Sequence, residues 1–344
     1  MKASAWLRSL IILLIAAFAA GAGEFPHTRV ALRDGRWFIN DRVTNPGSDA
    51  EGLLMNVRMV NAVFEDRRKP EFDPEANASR FIARIPDYAS HGVNAFTICL
   101  QGGMPGYEGA LNSAFEADGG LRPSYLARAE RVIRACDQHG LVVILGLLYQ
   151  RQSRVLRDEA AIRRGVVNAA RWIESCRFGN VLVEVANEYP HGGFAHAVIR
   201  DPSGQAGLIR LVRQTNPRLL VTASGYGDGR IHPEVAAACD FLTPHWNDTR
   251  VEDIPARLAS LQRFGKPIVC NEDDKVGATA VAAMLASVTN GCGYGLMLKD
   301  RNQTFPFRFE GPADDPAFYA ALKRLASPPR SSPATPAPPV PSAR

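Results

Sequence analysis

Eight short apolar runs, each followed by a segment of helical period, constrain this chain more than any other feature. The runs cover 53–59, 94–100, 141–148, 181–186, 219–223, 241–245, 267–270 and 294–298. They are too short for buried helices and rich in Val, Ile and Leu, which reads as strands covered on both faces. Between and after them, apolar residues recur with a 3.6-residue period over 78–90, 125–139, 159–176, 204–214, 233–238, 254–264, 278–289 and 316–325. Eight strand-helix units close into a barrel, so the expected fold class is α/β, a (β/α)8 TIM barrel. A doubly wound open sheet is the alternative, and its glycine-rich phosphate turn should follow the first strand. The nearest such turn, Gly225-Tyr226-Gly227-Asp228-Gly229, follows the fifth strand and lacks the spacing and the long helix. It reads as a loop at the barrel mouth.

The ends of the chain read differently from its middle. Lys2 and Arg8 precede an apolar run and then Ala20-Gly21-Ala22, the pattern of a secretory signal peptide over 1–22. The expected location is therefore secreted or periplasmic, with no membrane span, because the run is too short to cross a bilayer. Residues 23–49 hold two alternating runs around Asp34-Gly35, the signal of a β-hairpin capping the floor of a larger sheet. The barrel is expected over 50–326, and 327–344 is a Pro-rich tail with little to bury, expected to be disordered.

A net charge of +5 is modest and interspersed, so no nucleic-acid partner is expected, and the chain is expected to be a monomer. Six cysteines in an exported chain are too few for a disulfide scaffold. Cys136 and Cys176, near the ends of neighbouring helices, are the pair expected within disulfide reach.

The chemistry concentrates at two strand ends. In Asn180-Val-Leu-Val-Glu-Val-Ala-Asn-Glu-Tyr-Pro-His191, alternation places Leu182, Glu184, Ala186 and Glu188 on one face. An inward carboxylate needs partners or a polar cavity, and the C-terminal mouth of a barrel supplies one. The seventh strand ends the same way in Asn271-Glu272, with Ile268, Cys270 and Glu272 as the expected inward set. Two carboxylates across a mouth suit glycosidic bond cleavage, one as acid and one as nucleophile. Ordinary strand-end ion pairs are the plain alternative.

These residues resemble a known family. Val183-Glu-Val-Ala-Asn-Glu-Tyr-Pro190 is similar to the E-x-x-N-E-P signature of the clan A glycoside hydrolases, the cellulase-like retaining enzymes related to glycoside hydrolase family 5, with Tyr189 inserted before the Pro. The resemblance implies Glu188 as acid/base and Glu272 as nucleophile, acting on a β-linked glycan or oligosaccharide without metal or cofactor. It further implies that Asn187 binds the sugar 2-hydroxyl and that His245, inward on strand six with Thr243, lies near the nucleophile. Arg58, on one face with Asn56 at the end of strand one, would lower the nucleophile's pKa. The family's usual Trp at the end of strand eight is missing, since the chain there reads Leu296-Met-Leu-Lys-Asp300. Trp246, Tyr189, Tyr149 and Tyr226 are the remaining candidates for a sugar platform, and Lys299 for hydroxyl binding.

Two other readings use the same residues. Glu272-Asp273-Asp274 with Glu188 and His245 could hold a divalent metal in a sugar-processing barrel. A sugar-binding barrel without catalysis would also accommodate the missing Trp.

Overall fold

The computed structural model describes residues 26–102 and 109–329 of the chain. The expected signal segment at 1–22 and the tail beyond Pro329 lie outside the described residues.

A three-stranded antiparallel sheet comes first: β1 (Val30–Arg33), β2 (Arg36–Ile39) and β3 (Arg42–Val43). Asp34 and Gly35 have φ of 49° and 75°, the two left-handed residues that a tight hairpin turn requires. The expected hairpin is thus present, extended by one strand. Seven parallel strands follow, in the spatial order β8, β7, β6, β5, β4, β10, β9. They are β4 (Met55–Arg58), β5 (Ala95–Cys99), β6 (Val142–Tyr149), β7 (Val181–Asn187), β8 (Val221–Thr222), β9 (Ile268–Val269) and β10 (Cys292–Leu296).

The sixth barrel position, expected at 241–245, is filled by extended chain and forms isolated parallel bridges, Leu242 to Ile268 and His245 to Glu272. On its other side Asp240 N donates to Val221 O and Thr222 Oγ1 to Phe241 O. The stretch thus stands between β8 and β9 and completes a (β/α)8 barrel.

Helices cover the sheet at Pro74–Ala89, Pro123–Gln138, Glu159–Ser175, Pro202–Thr215, Pro233–Ala238, Ile254–Gln262, Gly277–Thr289 and Pro316–Leu325. The Asp73 and Asp158 side chains cap the first and third of these by accepting backbone N–H bonds.

Leu54, Ala95, Val142, Ile144, Leu182, Phe241 and Val269 form one interior cluster at the barrel floor, drawn from strands all round the ring. Trp37 of β2 plugs this floor, edge-on to Phe241 at 5.2 Å. Burial of each such large side chain stabilises by about 1.5–3 kcal/mol. With the floor sealed by apolar side chains, the polar groups of the interior gather toward the other end.

The floor cluster also corrects the expected parity of the seventh strand. Val269 belongs to the interior, and Asn271 Nδ2 reaches inside to donate to Glu184 Oε2, whereas Ile268 and Cys270 pack outward toward the helices. Only Ile268 and Val269 are laddered, so alternation does not continue to Glu272, whose side chain turns to the mouth beside that of Asn271.

The expected disulfide is not formed. Cys136 and Cys176 are both free: the first is fully buried, and the Cys176 thiol points to Glu130 Oε2 at 3.9 Å.

Candidate active site

β7 ends at Asn187, and the next residue, Glu188, has φ of 49°, a left-handed backbone that few residues other than glycine adopt. The conformation is held on both sides: Glu188 N donates to Ser224 Oγ at 2.8 Å, and Glu188 O accepts from His191 N at 2.8 Å. Strain of this kind persists where surrounding contacts fix it and is common at functional sites. Glu188 Oε2 accepts from Gln150 Nε2 at 3.2 Å, and Oε1 contacts His245 Nδ1 at 3.0 Å.

The same His245 Nδ1 lies 3.6 Å from Glu272 Oε2. Carboxylate oxygens of Glu188 and Glu272 and a ring nitrogen of His245 all lie within 4.8 Å of one another. On the far side of Glu272, Arg58 Nε stands 2.9 Å from Oε2, and Asn247 Nδ2 donates to Oε1 at 2.6 Å. Arg58 also donates through a terminal nitrogen to Asn187 Oδ1 at 2.7 Å. The Asn187 amide nitrogen is left buried and without a partner among the described residues, free to donate to a ligand.

The charges of this group are tightly coupled. Burial works against the Arg58 charge, and the carboxylates of Glu272 and Glu184 more than compensate, so the guanidinium stays protonated. Burial likewise disfavours charge on His245, yet Glu272 and Glu188 together raise its pKa above the usual 6.5. Burial pushes Glu188 up, but the hydrogen bond and charge of His245, followed by Arg58 and His191, leave its pKa below the usual 4.5. Both shifts favour the proton of this pair on His245.

Of the residues expected from sequence, Glu188, Glu272, Asn187, His245 and Arg58 come together. Trp246 and Tyr189 do not present a platform. Both are fully buried; the Trp246 indole donates to Ser287 Oγ on the helix Gly277–Thr289, and the Tyr189 hydroxyl pairs with His232 Nδ1. Tyr149 is almost as buried, whereas Tyr226 is 36% exposed. Lys299 is exposed beyond β10, with Asp274 as a charged neighbour.

The acidic run after β9 divides. Asp273 is fully buried, accepting from Tyr294 Oη at 2.7 Å and Lys275 Nζ at 2.9 Å, so it belongs to the outer layer and not to a metal set with Glu272. The remaining trio of Glu188, His245 and Glu272 has Arg58 against it, a permanent cation that would repel a divalent ion.

Gln150, Ser224 and Asn247 are site residues that the sequence does not single out. Asn247 alone carried a signal, standing two residues after His245 at the same strand end.

No family model matches the chain, and no curated protein matches it by sequence. Solved structures do match its fold. A GH5-4 broad specificity endoglucanase from Clostridium longisporum superposes with a TM-score of 0.58 at 11% identity, over 83% of this chain and 98% of that one. PbGH5A, a glycoside hydrolase family 5 enzyme from Prevotella bryantii B14, gives 0.58 at 9% identity, over 83% and 99%. The mannohexaose complex of a Thermomonospora fusca β-mannanase gives 0.58 at 13% identity, over 88% and 96%. At these identities the likeness is one of fold: this chain has the (β/α)8 barrel of the family 5 glycoside hydrolases, the fold that the motif resemblance implies.

Proposed function

We propose that the protein is an exported retaining β-glycoside hydrolase, with Glu272 as nucleophile and Glu188 as acid/base. One observation carries this reading: the two carboxylates converge to within 4.8 Å across His245, with Arg58 against Glu272 alone. A separation of about 5 Å suits direct attack and leaves no room for the water that an inverting enzyme places between its acids.

Glu272, with Arg58 Nε 2.9 Å from Oε2 and that oxygen accepting no aligned hydrogen bond, attacks the anomeric carbon. The bond to the leaving oxygen breaks as Glu188 protonates that oxygen, the proton reaching Glu188 along its 3.0 Å contact with His245. Glu188 then takes a proton from water, which displaces Glu272 and gives net retention. The unpartnered Asn187 amide supplies the donor for the sugar 2-hydroxyl. The likeness in fold to endoglucanases and a mannanase supports a β-linked glycan as substrate.

The test is hydrolysis of a β-glycan and aryl β-glycoside panel, followed by trapping with a 2-deoxy-2-fluoro glycoside bearing an activated leaving group. The expected result is a glycosyl adduct on the peptide containing Glu272. No turnover of any glycoside, or a product of inverted configuration, would sink the proposal.

A further inference from the structure

Gly227, in the loop after β8, lies where two carboxylates approach each other. A Cβ built on it would lie 2.7 Å from Asp248 Oδ2 and 3.2 Å from Glu188 Oε1, so the missing side chain lets the Asp248 carboxylate stand beside that of Glu188. The loop is fixed against the chain after His245, because Asp248 N donates to Gly227 O at 3.0 Å.

Asp248 is exposed, and among the described residues no side chain pairs with its carboxylate. The nearby Asp228 behaves differently, being engaged by Arg230 Nε at 2.6 Å and Arg257 at 3.6 Å. A carboxylate with free acceptors thus adjoins that of Glu188.

We infer that Asp248 is a specificity-determining residue that receives the leaving-group sugar, its carboxylate accepting a hydroxyl of that sugar. The inference rests on the glycosidase reading above. Glu188 protonates the scissile oxygen, so the group carrying that oxygen away must lie next to Glu188, within reach of the carboxylate that Gly227 lets stand beside it. A hydroxyl-bearing leaving group fits because a solvated, unpaired carboxylate gains a charge-assisted hydrogen bond on contact.

The test compares Asp248→Ala and Asp248→Asn with the unaltered protein on an unmodified β-linked oligosaccharide and a dinitrophenyl glycoside of the same sugar, which carries no leaving-group sugar. The expected result is a loss in kcat/KM on the oligosaccharide of roughly 10- to 100-fold for Ala, the value of one hydrogen bond to a charged group. Asn should lose less, and the dinitrophenyl glycoside should be turned over as before by both variants. A phenyl glycoside of the same sugar, which needs the Glu188 proton but carries no leaving-group sugar, should be spared as well. A loss on it to match the oligosaccharide would show that Asp248 acts through Glu188 and overturn the inference, as would equal losses on all three substrates or no loss on any. The Asn variant keeps the size and shape of the side chain, so the comparison stands even if Ala disturbs the turn. Unaltered protein inert on all three substrates would instead overturn the glycosidase reading itself.

Discussion

Arg58 Nε stands 2.9 Å from Glu272 Oε2, with the two side chains only 1% and 7% exposed. The guanidinium also donates to Asn187, so one side chain from the first barrel strand links the ends of the fourth and the seventh. Gln303 fixes it from above by donating to the Arg58 carbonyl at 3.1 Å. Replacing Arg58 by Met leaves a carboxylate buried without its counter-charge, which costs about 3–5 kcal/mol. Denaturant unfolding of Arg58→Met should show that loss together with a collapse in kcat. Arg58→Lys should recover part of the stability and less of the activity, because a point charge cannot serve Glu272 and Asn187 at once. Wild-type stability in the Met variant would show that the ion pair contributes nothing.

The two glutamates are separable by leaving group. Glu188→Ala should lose activity on natural glycosides by roughly 10²–10⁴-fold, the usual worth of general acid catalysis, yet still form the glycosyl-enzyme from a dinitrophenyl glycoside. Added azide should then speed its turnover and yield a β-glycosyl azide from a β-linked substrate. Glu272→Ala should be inactive on both. Rescue of Glu272→Ala by azide without rescue of Glu188→Ala would exchange the roles.

Much of this was legible in the chain itself, for identifiable reasons. The strand-helix alternation comes from burial on both faces of a parallel sheet, a constraint that acts on every strand, so the barrel followed from periodicity. Glu188 and Glu272 followed because a carboxylate at the end of a buried strand is costly without a purpose. What periodicity could not supply is direction where a strand stops. Glu188 has a left-handed backbone, and alternation breaks between Asn271 and Glu272, so the side-chain facing of residues just past a ladder depends on loop contacts. For the same reason Trp246 and Tyr189 were expected at the mouth and are buried beside it. Gln150 and Ser224 had no signal at all, since their role comes from contact between the ends of neighbouring strands.

The His245–Glu188 contact should leave a pH signature in stability. Against the opposing effect of burial, the carboxylates of Glu272 and Glu188 hold His245 above 6.5, so its folded imidazole binds a proton more tightly than the unfolded one. That contribution is complete below pH 6.5 and fades as the pH rises through the folded value. Against burial again, His245 holds Glu188 below 4.5, so its contribution is complete above pH 4.5 and fades as the pH falls through the folded value. Both act fully between 4.5 and 6.5. The difference in Tm between the protein and His245→Gln should be greatest in that window and shrink on either side. A difference that does not vary with pH would mean that the contact is neutral throughout.

Trp246 provides the sharpest separation of packing from binding. Its ring is fully buried in the barrel's outer core, and Gly229, at φ of 77°, lies so close that a Cβ there would be 2.4 Å from Cζ3. Its indole nitrogen donates to Ser287 Oγ at 3.2 Å, joining the loop after His245 to the helix Gly277–Thr289. A residue held in this way contributes through volume, so Trp246→Ala should destabilise by about 3–5 kcal/mol, the range for removing a large buried aromatic. Trp246→Phe refills most of the volume and should recover most of that loss, since Ser287 Oγ keeps its bond to Ala283 O at 2.9 Å. A sugar platform would behave in the opposite way: stability would hold, and KM would rise with each sugar unit that lost its stacking surface. Measuring Tm and KM over oligosaccharides of increasing length for both variants distinguishes the two roles, and a length-dependent rise in KM at unchanged Tm would return Trp246 to the binding surface.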